Sequence, residues 1–132
     1  MNDPKSSSSD AALQAEAEER WGNTPQWRES GRRTKSYGPA QWAEIKAQGT
    51  ATEAAFAALL RSGATPNHEA ALALAEEARL HIDRWFYECT PEMHVGLAAM
   101  YEADPRFRAH YDNQEPGLAS FVAKAIRANA QR

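Results

Sequence analysis

One cysteine in 132 residues excludes an internal disulfide, and no apolar run approaches the ~20 residues that a membrane span requires. No secretory leader pattern opens the chain, so a soluble protein in the cytoplasm is expected. Charge of one sign is not in excess either. Lys and Arg number 15 against 18 Asp and Glu, a net charge of -3, which gives no global attraction to a polyanion. Nucleic acid is therefore not expected as a direct ligand. Runs of Val, Ile and Thr are scarce, and strands find no support. What is there in quantity is alanine, and 42% of the residues are apolar. That composition suits one domain able to bury roughly two thirds of its unfolded surface without a metal.

Proline followed by helical periodicity recurs along the chain, and proline fits the first turn of a helix, where its missing N–H has no acceptor anyway. Residues 1–9, with Lys5 and the run Ser6 to Ser9, read as a disordered tail or linker. Asp10 can cap a helix through Trp21, which Gly22 ends. Thr24-Pro25 opens a short helix weakened by Gly31. Gly38-Pro39 starts a helix reaching about Arg61, with Gly49 as an expected interruption and Ser62-Gly63 as its close. Thr65-Pro66 or Asn67 opens the next, to about Tyr87. Thr90-Pro91 and Asp104-Pro105 repeat the device, and Glu115-Pro116 is expected to begin the last helix, whose inward face is Leu118, Phe121, Val122, Ala125 and Ile126. The prediction is an all-α domain of six or seven helices.

The aromatics are unevenly placed. Trp21, Trp27, Tyr37 and Trp42 fall in a stretch with few large aliphatics, which struggles to offset an ordering entropy of roughly 1 to 2 kcal/mol per residue. Residues 10–45 are accordingly expected to form a loosely held, mobile N-terminal lid, and residues 66–130 a stable core.

Residues 81–94 are the densest in chemistry, holding His81, the adjacent rings Trp85, Phe86 and Tyr87, Cys89 and His94. Neighbouring helical positions are rotated by about 100°, so the three rings cannot share one core, and at least one must face solvent, a cleft or a partner. Two readings of Cys89 stand: a buried apolar side chain, or a thiol activated by the N–H groups of the helix that follows. His81, His94 and Cys89 supply three zinc-type ligands without closed tetrahedral spacing, so neither a metal nor a cofactor is expected. His81, Asp83 and Glu77 offer acid–base groups, yet no nucleophile with a paired base and orienting carboxylate emerges, and no enzyme activity is expected. Met93, Leu97, Met100 and Tyr101 form a stripe that reads first as core, although flexible methionines suit a pocket that admits varied ligands. Arg28, Arg32, Arg33 and Lys35 read as a solvated basic face.

Taken in order, Glu19-Arg20-Trp21-Gly22, Arg32-Arg33-Thr34, Tyr37, Trp42, His81, Tyr87, Cys89, Glu92-Met93-His94, Leu97, Met100-Tyr101, Arg106-Phe107, Pro116-Gly117-Leu118-Ala119 and Ala128-Asn129-Ala130 resemble the TipAS antibiotic-recognition domain. The resemblance spans about residues 16–130, and many ordered, separated matches are more specific than any short motif. It implies a globin-like helical domain that forms the C-terminal effector module of MerR-like transcription activators, binds thiopeptides and other bulky drugs in a cleft, and orders N-terminal helices over the ligand. In the thiostrepton-responsive member the thiol that adds to a dehydroalanine aligns with Gly96 here, while Cys89 matches a second cysteine. The resemblance thus puts covalent capture in doubt at the very position where the family performs it.

Together these readings predict a ligand-sensing domain. Its expected ligand-binding residues are His81, Trp85, Cys89, Met93, His94, Leu97, Tyr101, Phe107 and Tyr111, with Cys89 as a conceivable attachment point and Trp21, Trp27, Tyr37 and Trp42 in the lid. No helix-turn-helix is visible, so either an effector domain detached from its regulator or a short drug-sequestering form is expected. DNA would then be reached through an upstream domain, and the full-length regulator would be a homodimer. The alternative is a helical module for protein interaction or self-association whose exposed aromatics dock a partner helix.

Overall fold

In the computed structural model, residues 24–132 are described, and they form six helices with no strand among them. These are α1 (Pro25–Thr34), α2 (Pro39–Arg61), α3 (Glu69–Trp85), α4 (Pro91–Ala103), α5 (Pro105–Asp112) and α6 (Leu118–Ala130). The expected tail, the helix from Asp10 to Trp21 and the lid residue Trp21 lie outside the described residues.

Four of the proline starts occur where the sequence puts them. Thr24 Oγ1 accepts from Trp27 N at 3.2 Å and Thr90 Oγ1 from Met93 N at 3.2 Å, while the Asp104 carboxylate accepts from Arg106 N at 2.9 Å. Such caps satisfy N–H groups that the first turn leaves without acceptors, at about 1 kcal/mol each. At Gly38, which has no side chain to cap with, Gln41 Oε1 accepts from the glycine N–H instead.

The structure departs from expectation at three places. Helix α2 runs unbroken through Gly49, where an added Cβ would meet His81 Cε1 at an ordinary contact distance of 3.9 Å; the glycine lowers helix propensity without ending the helix, and His81 Nε2 lies 3.1 Å from the Ile45 carbonyl. Pro66 belongs to a turn rather than a helix, and α3 begins after His68, whose Nδ1 accepts from Ala70 N at 3.1 Å. Pro116 likewise does not start the last helix. Gly117 takes φ 86°, in the left-handed region that glycine alone enters freely, and α6 begins only after that turn.

Helix α6 is the hub, packing on α2, α3, α4 and α5. Leu118, Phe121, Val122 and Ile126 are buried there, interspersed with Ala119, Ala123 and Ala125, whose small side chains let four neighbours approach. The core also draws on Ala71 and Ala75 of α3 and Ala98 of α4, and it reaches back beyond the expected segment to Phe56 and Ala57 of α2. Phe56 meets Phe121 edge to face at 6.3 Å. Each large buried side chain of this set stabilises the fold by about 2 kcal/mol.

Helix α1 stands apart, with no buried residue. It is tied to the end of α3 by Arg33 Nη1 donating to the Asp83 carbonyl at 2.6 Å and Tyr37 Oη donating to the Trp85 carbonyl at 2.6 Å. The basic face is partly neutralised internally, since Glu29 pairs with both Arg32 and Arg33.

Candidate functional site

A cleft of about 1150 Å³ opens between α1, the end of α3 and α4. Each wall has a local cause. On α4, Met93, Gly96, Leu97 and Met100 recur at three- and four-residue steps and so present one face. Helix α3 stops at Trp85, and the next two N–H groups both turn back to the Ile82 carbonyl, at 2.9 Å from Phe86 and 3.2 Å from Tyr87. That tightened turn presents the Phe86 and Tyr87 rings to the cleft. Asp83 Oδ1 fixes the turn by accepting from Cys89 N at 2.9 Å. From α1 come Trp27, Gln26 and Ser30, with Thr24 at the cap; Asp104 and Pro105 close the far end.

The wall is therefore rings, thioethers and aliphatic carbon with a few hydroxyl and amide groups, a surface suited to a bulky, flat, largely apolar molecule. Burial pushes the Tyr87 phenol up to about 12, with the nearby Cys89 adding to the rise, so the phenol is neutral at any physiological pH. Gly96 has open space on its side-chain side, and a Cβ built there meets nothing within 4 Å.

A second, smaller cavity of about 190 Å³ lies between α2, α3, α4, α5 and α6. His81, His94, Tyr101 and Tyr111 line it, together with Glu53 and Phe56. His94 is only 2% exposed, and its pKa falls to about 4, mainly because burial disfavours the imidazolium and secondarily because Arg79 repels it; Glu76 opposes the fall. Burial likewise raises Tyr101 and Tyr111 well above the ordinary phenol value; Tyr87, Cys89 and Glu53 add to the rise at Tyr101, which its hydrogen bond with Tyr111 opposes, while Tyr101 and Glu53 add to the rise at Tyr111. Their rings lie 5.4 Å apart.

The nine residues expected to bind ligand are thus distributed over three environments. Met93 and Leu97 line the cleft, whereas His81, His94, Tyr101 and Tyr111 line the inner cavity. Trp85, Cys89 and Phe107 line neither. Trp85 donates from Nε1 to Gln48 Oε1 at 2.9 Å and packs edge-on against Tyr37 at 5.5 Å. Phe107 leans on Tyr101 at 5.8 Å. Cys89 is fully buried, and loss of hydration pushes its thiol up to about 11 despite the opposing pull of Arg79. Of the two readings of Cys89, the burial agrees with the apolar one: the low dielectric around the sulfur outweighs the helix end and holds the thiol protonated. Of the lid residues, Trp27 faces the cleft, while Tyr37 and Trp42 meet edge to face at 5.8 Å outside it, Trp42 being 44% exposed.

Phe86, Tyr87, Gly96 and Met100 join the cleft without having been singled out as ligand contacts. Met100 carries a readable signal, since it continues the stripe of Met93 and Leu97. Phe86 and Tyr87 follow from the impossibility of packing three successive rings on one side, once the helix end is known. Among the described residues, no three His, Cys, Asp or Glu side chains converge as a metal site, and no helix is long and apolar enough to cross a membrane.

Comparison with known proteins gives this cleft a family context. The chain is 40% identical over 117 residues to the HTH-type transcriptional activator TipA of Streptomyces coelicolor, covering 89% of this chain and 46% of that protein. It thus spans about half the length of the curated relatives it matches. Its fold is similar to that of TipAS from Streptomyces lividans solved in complex with nosiheptide, with TM-score 0.85 and 38% identity over 92% of this chain and 85% of that one. The antibiotic-binding domain of a TipA-class multidrug resistance transcriptional regulator is also similar, with TM-score 0.62 and 39% identity, covering 67% of this chain and 94% of that one. With residues 13–129 matching the family model as well, the chain belongs to the TipAS antibiotic-recognition domain family.

Proposed function

We propose that this chain is the ligand-sensing effector domain of a MerR-like transcription regulator, and that the cleft between α1, the end of α3 and α4 takes up thiopeptide antibiotics or other bulky hydrophobic drugs. One observation carries the reading: an apolar cleft of about 1150 Å³, one wall of which is a helix with no buried residue, in a chain of the TipAS family. Removing large flat apolar surfaces from water yields roughly 25 cal/mol per Å², while Gln26, Ser30 and the Tyr87 hydroxyl supply polar contacts that orient the ligand.

In this reading residues 10–45 are the lid and the segment from 66 to 130 the fixed part of the domain. Ligand would give α1 the buried contacts it lacks, with Trp27 closing on the ligand from above. Such closure shifts the lid's equilibrium only as far as the ligand prefers the closed state, which is the condition for any switch. The lid's position would then be read by a DNA-binding region of a dimeric, cytoplasmic regulator; the relatives of this chain are about twice its length and include HTH-type regulators. Capture is reversible in this proposal, because Gly96 stands on the cleft wall where the thiostrepton-responsive relative aligns a reactive thiol, and Cys89 is buried.

Titration with nosiheptide, followed by tryptophan fluorescence and by calorimetry, tests the proposal. Saturable binding is expected, with most of the fluorescence response lost in Trp27→Phe and affinity reduced by roughly a hundredfold in Leu97→Glu, which puts a charge into the apolar wall. No saturable heat or fluorescence change with nosiheptide and several chemically distinct thiopeptides would refute it.

A further inference from the structure

The 190 Å³ inner cavity is separate from the cleft and is bounded by the core residues Phe56, Val122 and Ile126. His94 and Tyr101 sit on α4 one position beyond the cleft-lining Met93 and Met100, so they project about 100° around the helix, away from the cleft and into the interior. The His94 imidazole makes no hydrogen bond to any described residue, although it is 2% exposed. The imidazole lines this cavity beside Tyr101 and Tyr111. The cavity wall therefore carries a hydrogen-bonding side chain that a bound molecule can engage.

We propose that this cavity is a second binding site, for a small neutral molecule consisting of one aromatic ring with a hydroxyl, the phenol class. Three features select that chemistry. The size fits, since an apolar cavity of roughly 150 Å³ holds a benzene ring. The walls offer ring faces and aliphatic carbon from Phe56, Val122 and Ile126 beside a neutral imidazole and two neutral phenols, so one hydroxyl can donate to His94 and accept from a tyrosine. The Glu53 carboxylate lines the same cavity and disfavours an anion there. Glu53 is held from the outer side, with His110 Nε2 3.0 Å from its carboxylate and Gln114 Nε2 donating to it at 2.9 Å.

The test is a two-dimensional NMR titration of the full chain with phenol, using benzoate as the anionic control. Phenol should shift the His94 ring and the Val122 and Ile126 methyl signals saturably at millimolar concentration, and benzoate should not. His94→Leu should weaken phenol at least roughly tenfold, the weight of one hydrogen bond, while nosiheptide titration stays as in the unaltered chain. Glu53→Gln, a surface-accessible change that leaves the interior packing intact, should admit benzoate. Absence of saturable phenol shifts, equal phenol affinity in His94→Leu, or shifts confined to Met93, Leu97 and Met100 would each overturn the proposal. Because the cleft is probed separately with nosiheptide, its failure and that of the inner site are distinguishable.

Discussion

Lowering the pH from 7 to 5 should destabilise the fold by about 2 kcal/mol, and His94 should account for most of the loss. Burial keeps the native imidazole neutral down to about 4, whereas a histidine in the unfolded chain takes up its proton near 6.5. Between those values the unfolded state binds more protons. Stability is therefore complete above about 6.5 and declines as the pH falls toward 4. The gap between 6.5 and about 4 corresponds in full to about 3 kcal/mol, of which about 2 is expressed by pH 5. The groups around His94 do not offset this. Arg79 lowers its basicity and Glu76 partly restores it; Tyr101 and Tyr111 stay neutral throughout, and Glu53 and His81 complete the polar lining. Glu76 itself, drawn down to about 2 chiefly by its hydrogen bond to Arg79, contributes stability that is lost only below the usual carboxyl range. Urea midpoints at pH 7, 6 and 5 measure the effect, or melting temperatures, which should fall by roughly 6 to 10 °C for a chain of this size. His94→Gln removes the titrating group and should flatten the profile over this interval. If His94→Gln loses as much stability between pH 7 and 5 as the unaltered chain, the assignment to His94 is wrong.

Two further substitutions probe the cleft wall at Gly96, and thiol labelling probes the neighbouring Cys89. Gly96→Ala should raise stability by roughly 0.5 to 1 kcal/mol, because Gly96 is interior to α4 and nothing stands within 4 Å of an added Cβ; an unchanged or lower melting temperature would contradict that geometry. Gly96→Cys places a thiol in the same open space. With a dehydroalanine-bearing thiopeptide it should form a thioether by simple addition, the thiol proton ending on carbon, so that the mass rises by that of the whole antibiotic; the unaltered chain should show no adduct. Cys89 should be inert to a disulfide exchange reagent in the native protein and react fully once unfolded, since it is buried with its thiol pushed up to about 11; rapid labelling of native protein would refute its burial.

Helix starts were the most legible feature, because capping is local chemistry. Thr24-Pro25, Thr90-Pro91 and Asp104-Pro105 each combine an oxygen that accepts from the first turn with a residue that needs no acceptor, and all three open helices. The same rule misleads at Pro66 and Pro116, where the deciding contacts are different ones. Thr65 Oγ1 donates to Asn67 Oδ1 at 2.7 Å, which leaves His68 to cap, and Gly117 at φ 86° turns the chain before α6 can begin. Gly49 shows the converse. A glycine expected to break α2 costs only about 1 kcal/mol of helix propensity, which the packing of a long helix outweighs.

The site was harder to read for a geometrical reason. Spacing along α4 shows which residues share a face, but not which face meets α6 and which meets α1. Met93, Leu97, Met100 and Tyr101 read as one stripe, yet the 100° step between Met100 and Tyr101 divides two cavities, a wide one facing α1 and a small one that His94, Tyr101 and Tyr111 line. That boundary depends on where α3 ends. One more helical residue would carry Phe86 onward with the helix instead of releasing it at the turn, and the end is set by the Asp83 carboxylate gripping Cys89 N and by Arg79 reaching the Cys89 carbonyl at 2.7 Å. Both contacts join residues on one side of a turn to residues on the other. The conspicuous residues of segment 81–94 therefore act mostly as the frame of the cleft, and its lining falls to Phe86, Tyr87 and the quieter positions Gly96 and Met100, whose role is fixed only once that frame is closed.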